Sequence, residues 1–199
     1  MKTLLIVLGL AQASPAAVIY SGIQDIPIPV TFDGVFVDVV NVTSSTVDDS
    51  DFSSSQINFF FGGAGVYTSP RLRPVRSIPD QLAPIVSAQL GDVIDESLDF
   101  GPVARGGSEN HIGSGGAQFP NGGESYLGFL LDLDEDGQYV AGWMRVTLSE
   151  TGSVGTVHDW AYSDLPGEPV ITGTIIPESS SMFLLSLALS SLCLSRRRA

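Results

Sequence analysis

Asp132-Leu133-Asp134-Glu135-Asp136-Gly137 carries the clearest coordination chemistry in this sequence. Alternate carboxylates ahead of a turn glycine can present several hard oxygens to one Ca²⁺. An EF-hand also needs a bidentate Glu at its twelfth position. Counted from Asp132 that position is Trp143, and no flanking helix is predicted. Two readings remain: a calcium-bound β-turn with ligands from Asp132, Asp134 and Asp136, or a solvated hairpin tip. A second acidic run, Thr46-Val47-Asp48-Asp49-Ser50-Asp51, is either a solvated loop or joins a metal site through the fold.

Nucleophilic chemistry is poorly supplied. His111 and His158 are the only histidines, and the only cysteine is Cys193, near the C-terminus. His158 precedes Asp159 in a predicted strand, where alternation sends neighbours to opposite faces and prevents a direct pair. No G-x-S-x-G elbow occurs; Gly106-Gly107-Ser108-Glu109-Asn110 ends on the wrong residue. Two histidines fall short of a zinc site unless carboxylates join them. Gly62-Gly63-Ala64-Gly65 and Gly113-Ser114-Gly115-Gly116 lack the lysine and helix that a phosphate loop requires. A glycosidase pair of carboxylates would arise by chance among so many acids, so their presence discriminates nothing. Tyr139, Trp143, Trp160 and Tyr162 fall on neighbouring predicted strands. If Trp143 and Trp160 share an exposed face they form a sugar-stacking platform; otherwise they fill the core.

The elements that must position these groups are strands. Leu127, Phe129, Leu131 and Leu133 share one face of Tyr126–Leu133, and Val140, Gly142, Met144, Val146 and Leu148 share one face of Gln138–Leu148. Period-two faces joined by a polar turn predict an antiparallel hairpin with one side buried. Strands at 154–162 and 169–176 extend it as a meander. Earlier strands are predicted at 17–21, 28–32, 35–42, 56–61 and 66–69, with long loops at 43–55 and 101–124. Many short strands punctuated by Gly, Pro, Ser and Asp predict an all-β fold, an antiparallel β-sandwich or jelly roll formed by a single domain over residues 18–176.

Charge excludes some partners. Residues 17–177 hold 21 acids against five arginines (71, 73, 76, 105 and 145) and no lysine, a net charge near −16. Nucleic acid needs a basic footprint, so it is excluded as a partner. An anionic lipid surface is disfavoured for the same reason.

The ends carry address signals. Residues 1–17 read as a signal peptide: Lys2 supplies the positive region, Leu4–Leu10 the apolar region, and Ala11-Gln12-Ala13 an A-x-A cleavage site, with Ala16 or Ala17 as alternative cut points. At the other end, residues 179–195 are uncharged and precede Arg196-Arg197-Arg198. Seventeen helical residues span about 25 Å, near the lower bound for a transmembrane helix. The arginines would stay cytoplasmic and leave the bulk of the chain outside.

Pro177-Glu178-Ser179, the apolar stretch and the arginine cluster, behind a signal peptide, together resemble the PEP-CTERM sorting signal of exported bacterial proteins. Its usual motif is Pro-Glu-Pro, so residues 177–199 are a variant. The resemblance implies recognition by an exosortase-like membrane enzyme and association with extracellular polysaccharide. Val18-Ile19-Tyr20-Ser21-Gly22, Phe32-Asp33-Gly34-Val35, Gly142-Trp143-Met144-Arg145-Val146 and Asp159-Trp160-Ala161-Tyr162 resemble landmarks of such sorting-tagged proteins, for which no catalytic residues are assigned. The expectation is an exported, non-enzymatic β-domain of the cell envelope or matrix, membrane-anchored or released. The alternatives are a carbohydrate-binding module, calcium-assisted or not, and a secreted hydrolase.

Overall fold

Alternating apolar side chains build the centre of the protein. The computed structural model describes residues 16–175 apart from 50, 81, 105–109 and 151. The sorting motif Pro177, Glu178 and Ser179, the apolar stretch, Arg196, Arg197 and Arg198, and residues 1–15 of the expected leader lie outside the described residues.

The described chain is all-β. Its strands are β1 (Val18–Tyr20), β2 (Ile26–Ile28), β3 (Val35–Asp38), β4 (Thr43–Ser45), β5 (Ile57–Phe60), β6 (Gly65–Thr68), β7 (Leu72–Pro74), β8 (Ser87–Ala88), β9 (Val93–Ile94), β10 (Glu124–Asp132), β11 (Tyr139–Thr147), β12 (Gly155–Ser163) and β13 (Val170–Ile171). One sheet runs β1-β12-β11-β10-β7, with β2 also on β12 and β8 also on β10; a second runs β4-β3-β5-β6; β13 and β9 form a third. Every paired strand is antiparallel. Among the described residues no helix is long and apolar enough to cross a membrane.

The predicted hairpin is β10 and β11, in register from Glu124↔Thr147 to Asp132↔Tyr139. One face of this pair and of β12 presents Leu127, Phe129, Leu131, Val140, Met144, Val146, Val157 and Trp160. These pack with Val35, Val37, Ile57, Phe59 and Val66 of the second sheet in one buried cluster. The two sheets therefore face each other across a shared core. The other face carries Tyr126, Leu130, Ala141, Trp143 and Ala161, buried with Val75, Ile94 and Val170. The meander is buried on both sides, which is why its strands are rich in apolar residues at successive positions.

Three strand expectations change. The apolar run 35–42 ends as a strand at Asp38, whose carboxylate accepts the amides of Val40 and Asn41 and the Asn41 side-chain amide. That Asx turn offers the backbone an alternative to the ladder and folds the chain back as β4. Only Ile28 of the predicted 28–32 strand is extended; beyond Pro29 the chain bends, and Thr31 Oγ1 accepts the amide of Gly34 at φ +64°. The segment 169–176 does not continue the meander, because β13 pairs with β9.

Arg76 pins one long loop. It is buried, and it donates to the carbonyls of Gly101, Ala83 and Pro102. Desolvation lowers its pKa.

Candidate functional site

β12 carries one residue more than its neighbour at one point. Arg145 pairs with Asp159 and Val146 with Val157, so His158 is the extra residue of a β-bulge. A bulge bends the strand and re-aims side chains. The expected opposition of His158 and Asp159 is thereby overturned: Val157 stays in the core, while His158 and Asp159 reach Thr147 and Arg145, two residues apart on one face of β11.

Asp159 is buried and anchors the first half of the site. Arg145 holds it bidentately, Nε to Oδ1 at 3.0 Å and Nη2 to Oδ2 at 2.7 Å, and Tyr20 donates its hydroxyl to Oδ2 at 2.9 Å. Nη1 of Arg145 reaches Glu124 at 3.0 Å. The hydrogen bonds to Asp159 hold the Arg145 pKa above its ordinary value against partial burial. Burial, then the bond to Asp159, raises the Tyr20 hydroxyl; burial, then Glu124, raises that of Tyr126. Both tyrosine rings lean on Trp143, at 6.4 and 5.6 Å.

The second half is a carboxylate–imidazole–hydroxyl series. Asp25 sits in the left-handed region at φ +46°, where Asp is tolerated better than most residues. Its amide and that of Gln24 donate to the His158 carbonyl. Asp25 Oδ1 lies 2.9 Å from His158 Nδ1, and His158 Nε2 lies 2.9 Å from Thr147 Oγ1. In the tautomer with hydrogen on Nδ1, Nδ1–H donates to Asp25 Oδ1 and the Thr147 hydroxyl donates to Nε2. This is the connectivity of a hydrolase relay. The surroundings are those of a clip. Thr147 lies mid-sheet, paired with Glu124 on one side and Thr156 on the other, and Asp25 is exposed. The series ties the β1–β2 connection to the bulge. Sequence reading missed it because Asp25 and His158 meet only through β1 and β2 flanking β12.

The acidic turn finds its cation in the chain itself. Arg71 donates to the carbonyls of Asp132 and Leu133 and pairs with Glu135 at 2.9 Å. Asp132 Oδ2 accepts the Gly137 amide and Asp136 Oδ1 that of Gln138. The structure does not draw Asp132, Asp134 and Asp136 together: among the described residues no group of three acids, histidines or cysteines could hold a metal.

The stacking expectation also changes. Trp160 is fully buried in the inter-sheet core, donating Nε1–H to the Val39 carbonyl at 2.9 Å, and Trp143 is buried on the opposite face of the sheet. Neither ring is open to a sugar, and the two do not share a face. Alternation explains the split, since Trp160 and Ala161 point oppositely and Trp143 pairs with Ala161. His111 is likewise buried, its Nε2 2.8 Å from the Gly63 carbonyl.

A polar cleft lies beside the second acidic run. A cavity of about 200 Å³ is lined by Asp38, Thr43, Ser44, Ser45, Asp49 and Ser55 among others. Burial opposes ionisation of Asp49, but the hydroxyls of Ser53 and Ser55 and the amides of Ser54 and Ser55 outweigh it. They hold its carboxyl well below the usual carboxylate range.

Comparison of the chain with protein-family models, with curated proteins and with solved structures returned no match.

Proposed function

We propose that the chain is an exported, non-catalytic β-sandwich of the cell envelope, carried to the surface or its polysaccharide matrix by residues 177–199. The observation that carries this reading is the run of 17 uncharged residues closed by Arg196, Arg197 and Arg198 behind Pro177-Glu178-Ser179. Such a stretch partitions into a bilayer, and three guanidinium groups do not follow it across. The interior of the β-domain supports a scaffold role. Tyr20 and Arg145 hold Asp159, and Asp25 holds His158 beside Thr147, so the β1–β2 segment is tied to β12 through Tyr20–Asp159 and Asp25–His158, 139 and 133 residues apart in sequence. An exosortase-like enzyme is the proposed processing partner.

The test is fractionation of the native host followed by intact-mass measurement. The reading expects the protein in the envelope or medium, either with Arg196–Arg198 retained in the membrane fraction or cut near residue 178. A full-length cytosolic chain would overturn it. A second reading, contact with polysaccharide hydroxyls, has the cleft beside Asp38 and Asp49 behind it. Retarded migration in gels containing host exopolysaccharide, lost on Thr43→Trp, would favour that reading.

A further inference from the structure

The first residue of β1's approach is held in an unusual way. Ala17 N–H donates to Asp164 Oδ1 at 2.6 Å, and the Ala17 carbonyl accepts the Asp164 amide at 2.9 Å. Ala17 thus exchanges two bonds with one residue, just outside the pairing of Val18 with Ser163. Both residues are exposed. A carboxylate placed on the backbone nitrogen of a strand's leading residue suits a charged donor better than a neutral amide.

We infer that the leader is removed between Ala16 and Ala17, and that the α-ammonium so formed is locked onto Asp164. This rests on the export reading above. The step is a hydrolysis: water adds across the Ala16–Ala17 amide, the C–N bond breaks, Ala16 leaves as a carboxylate, and the Ala17 nitrogen gains protons to become an ammonium. The catalyst is a peptidase of the export machinery.

The three candidate cuts differ physically at this point. After Ala13, residues 14–16 remain attached and Ala17 keeps a neutral amide, so Asp164 gains no ion pair. After Ala17, both bonds to Asp164 disappear with the residue. Only a cut after Ala16 turns the donor into a cation while keeping the accepting carbonyl. Ser14 and Ala16 also put small residues at the two positions before the bond that such a peptidase reads.

Composition gives the test a clean readout. Lys2 is the only lysine of the chain. The processed protein therefore carries a single primary amine, its own N-terminus. The full-length gene is expressed in an exporting host, and the mature protein is analysed by intact mass and then treated with an acetylating ester. The expected result is a chain starting at Ala17 that takes up one acetyl group. In Asp164→Asn the amine reacts about two- to fivefold faster, the equilibrium weight of an exposed ion pair. Glu168→Gln, an exposed acid nearby in sequence, leaves the rate unchanged. A mature chain starting at Ser14 or Val18, or an unchanged rate in Asp164→Asn, overturns the inference and leaves export standing. A chain that still holds Met1 and takes up two acetyl groups overturns the export reading itself.

Discussion

Replacing Asp159 by Asn tests whether the Arg145 cluster organises the meander. Asp159 is 4% exposed, and its side chain accepts three bonds, two from Arg145 and one from Tyr20. Asn keeps the volume, loses the charge, and turns one end of the side chain into a donor that faces guanidinium donors. Breaking a well-buried pair costs about 3–5 kcal/mol. Two features reduce that here: the Arg145 side chain is 24% exposed, and Glu124 still pairs with it. The expected loss is about 2 kcal/mol, after solvent and Glu124 recover part of the charge. For a domain of this size that lowers the melting midpoint by roughly 4–8 °C. Tyr20→Phe alone removes one bond to the same carboxylate and costs about 1 kcal/mol. Because both changes act on one group, the double variant should lose less than their sum. The assay is thermal unfolding followed by tryptophan fluorescence, since both indoles are buried. A midpoint in Asp159→Asn within about 1 °C of wild type, or strict additivity with Tyr20→Phe, would refute the cluster's role.

Other residues give sharper single outcomes. Gly34→Ala should be severely destabilising, by about 3 kcal/mol or more, and is checked by thermal melting. A Cβ at φ +64° would lie 1.9 Å from the Phe59 carbonyl oxygen. Asp49→Asn should remove an acid-dependent contribution. The Asp49 carboxyl is depressed in the folded state, so its stabilisation is complete above the unfolded carboxylate value near pH 4 and fades as pH falls toward its folded value. The stability gap between wild type and variant, about 1 kcal/mol at pH 6 after screening, should begin to narrow below about pH 4 and still be narrowing at about pH 2 in urea titrations. Millimolar calcium should leave the melting midpoint unmoved, because among the described residues no three acids converge and Asp132 Oδ2 is turned onto the Gly137 amide; a rise would mean that metal binds the native state.

Legibility followed the range of the interactions. The β10–β11 hairpin could be read from the sequence because Leu127, Phe129 and Leu131 answer Val140, Met144 and Val146 across a short acidic turn. Nothing local marked β4, β7, β8 and β9. Thr43-Ser44-Ser45 is polar and exposed, and it is a strand only because the Asp38 turn delivers it to β3. The bulge at His158 was invisible for the same reason. Val154–Tyr162 alternates acceptably in any register, and the extra residue emerges only where β12 meets β11 and β2 together. The buried tryptophans were ambiguous because one sequence pattern serves a half-exposed sheet and a sheet covered on both faces. The covering pair β9–β13 is two residues deep and carries no periodic signal.

Where the positive charge goes decides how the surface behaves. Each arginine among the described residues is turned inward or onto its own chain. Arg71 binds a turn, Arg73 lies 4.2 Å from the Tyr139 ring centre, Arg76 is buried on carbonyls, and Arg145 holds Asp159. Most acids among the described residues therefore face solvent with little compensation, with Asp38, Asp132 and Asp159 buried. Such a surface repels itself and other polyanions, and screening relieves the repulsion. The buried part of the Arg145–Asp159 pair is shielded from salt, so it does not oppose that gain. Raising sodium chloride from about 0.01 M to 0.15 M shortens the screening length from about 30 to 8 Å, and the melting midpoint should rise. A fall would show that exposed pairs such as Arg71–Glu135 outweigh the self-repulsion. It would also remove the physical ground for expecting this domain to stay apart from acidic polysaccharide unless cations bridge them.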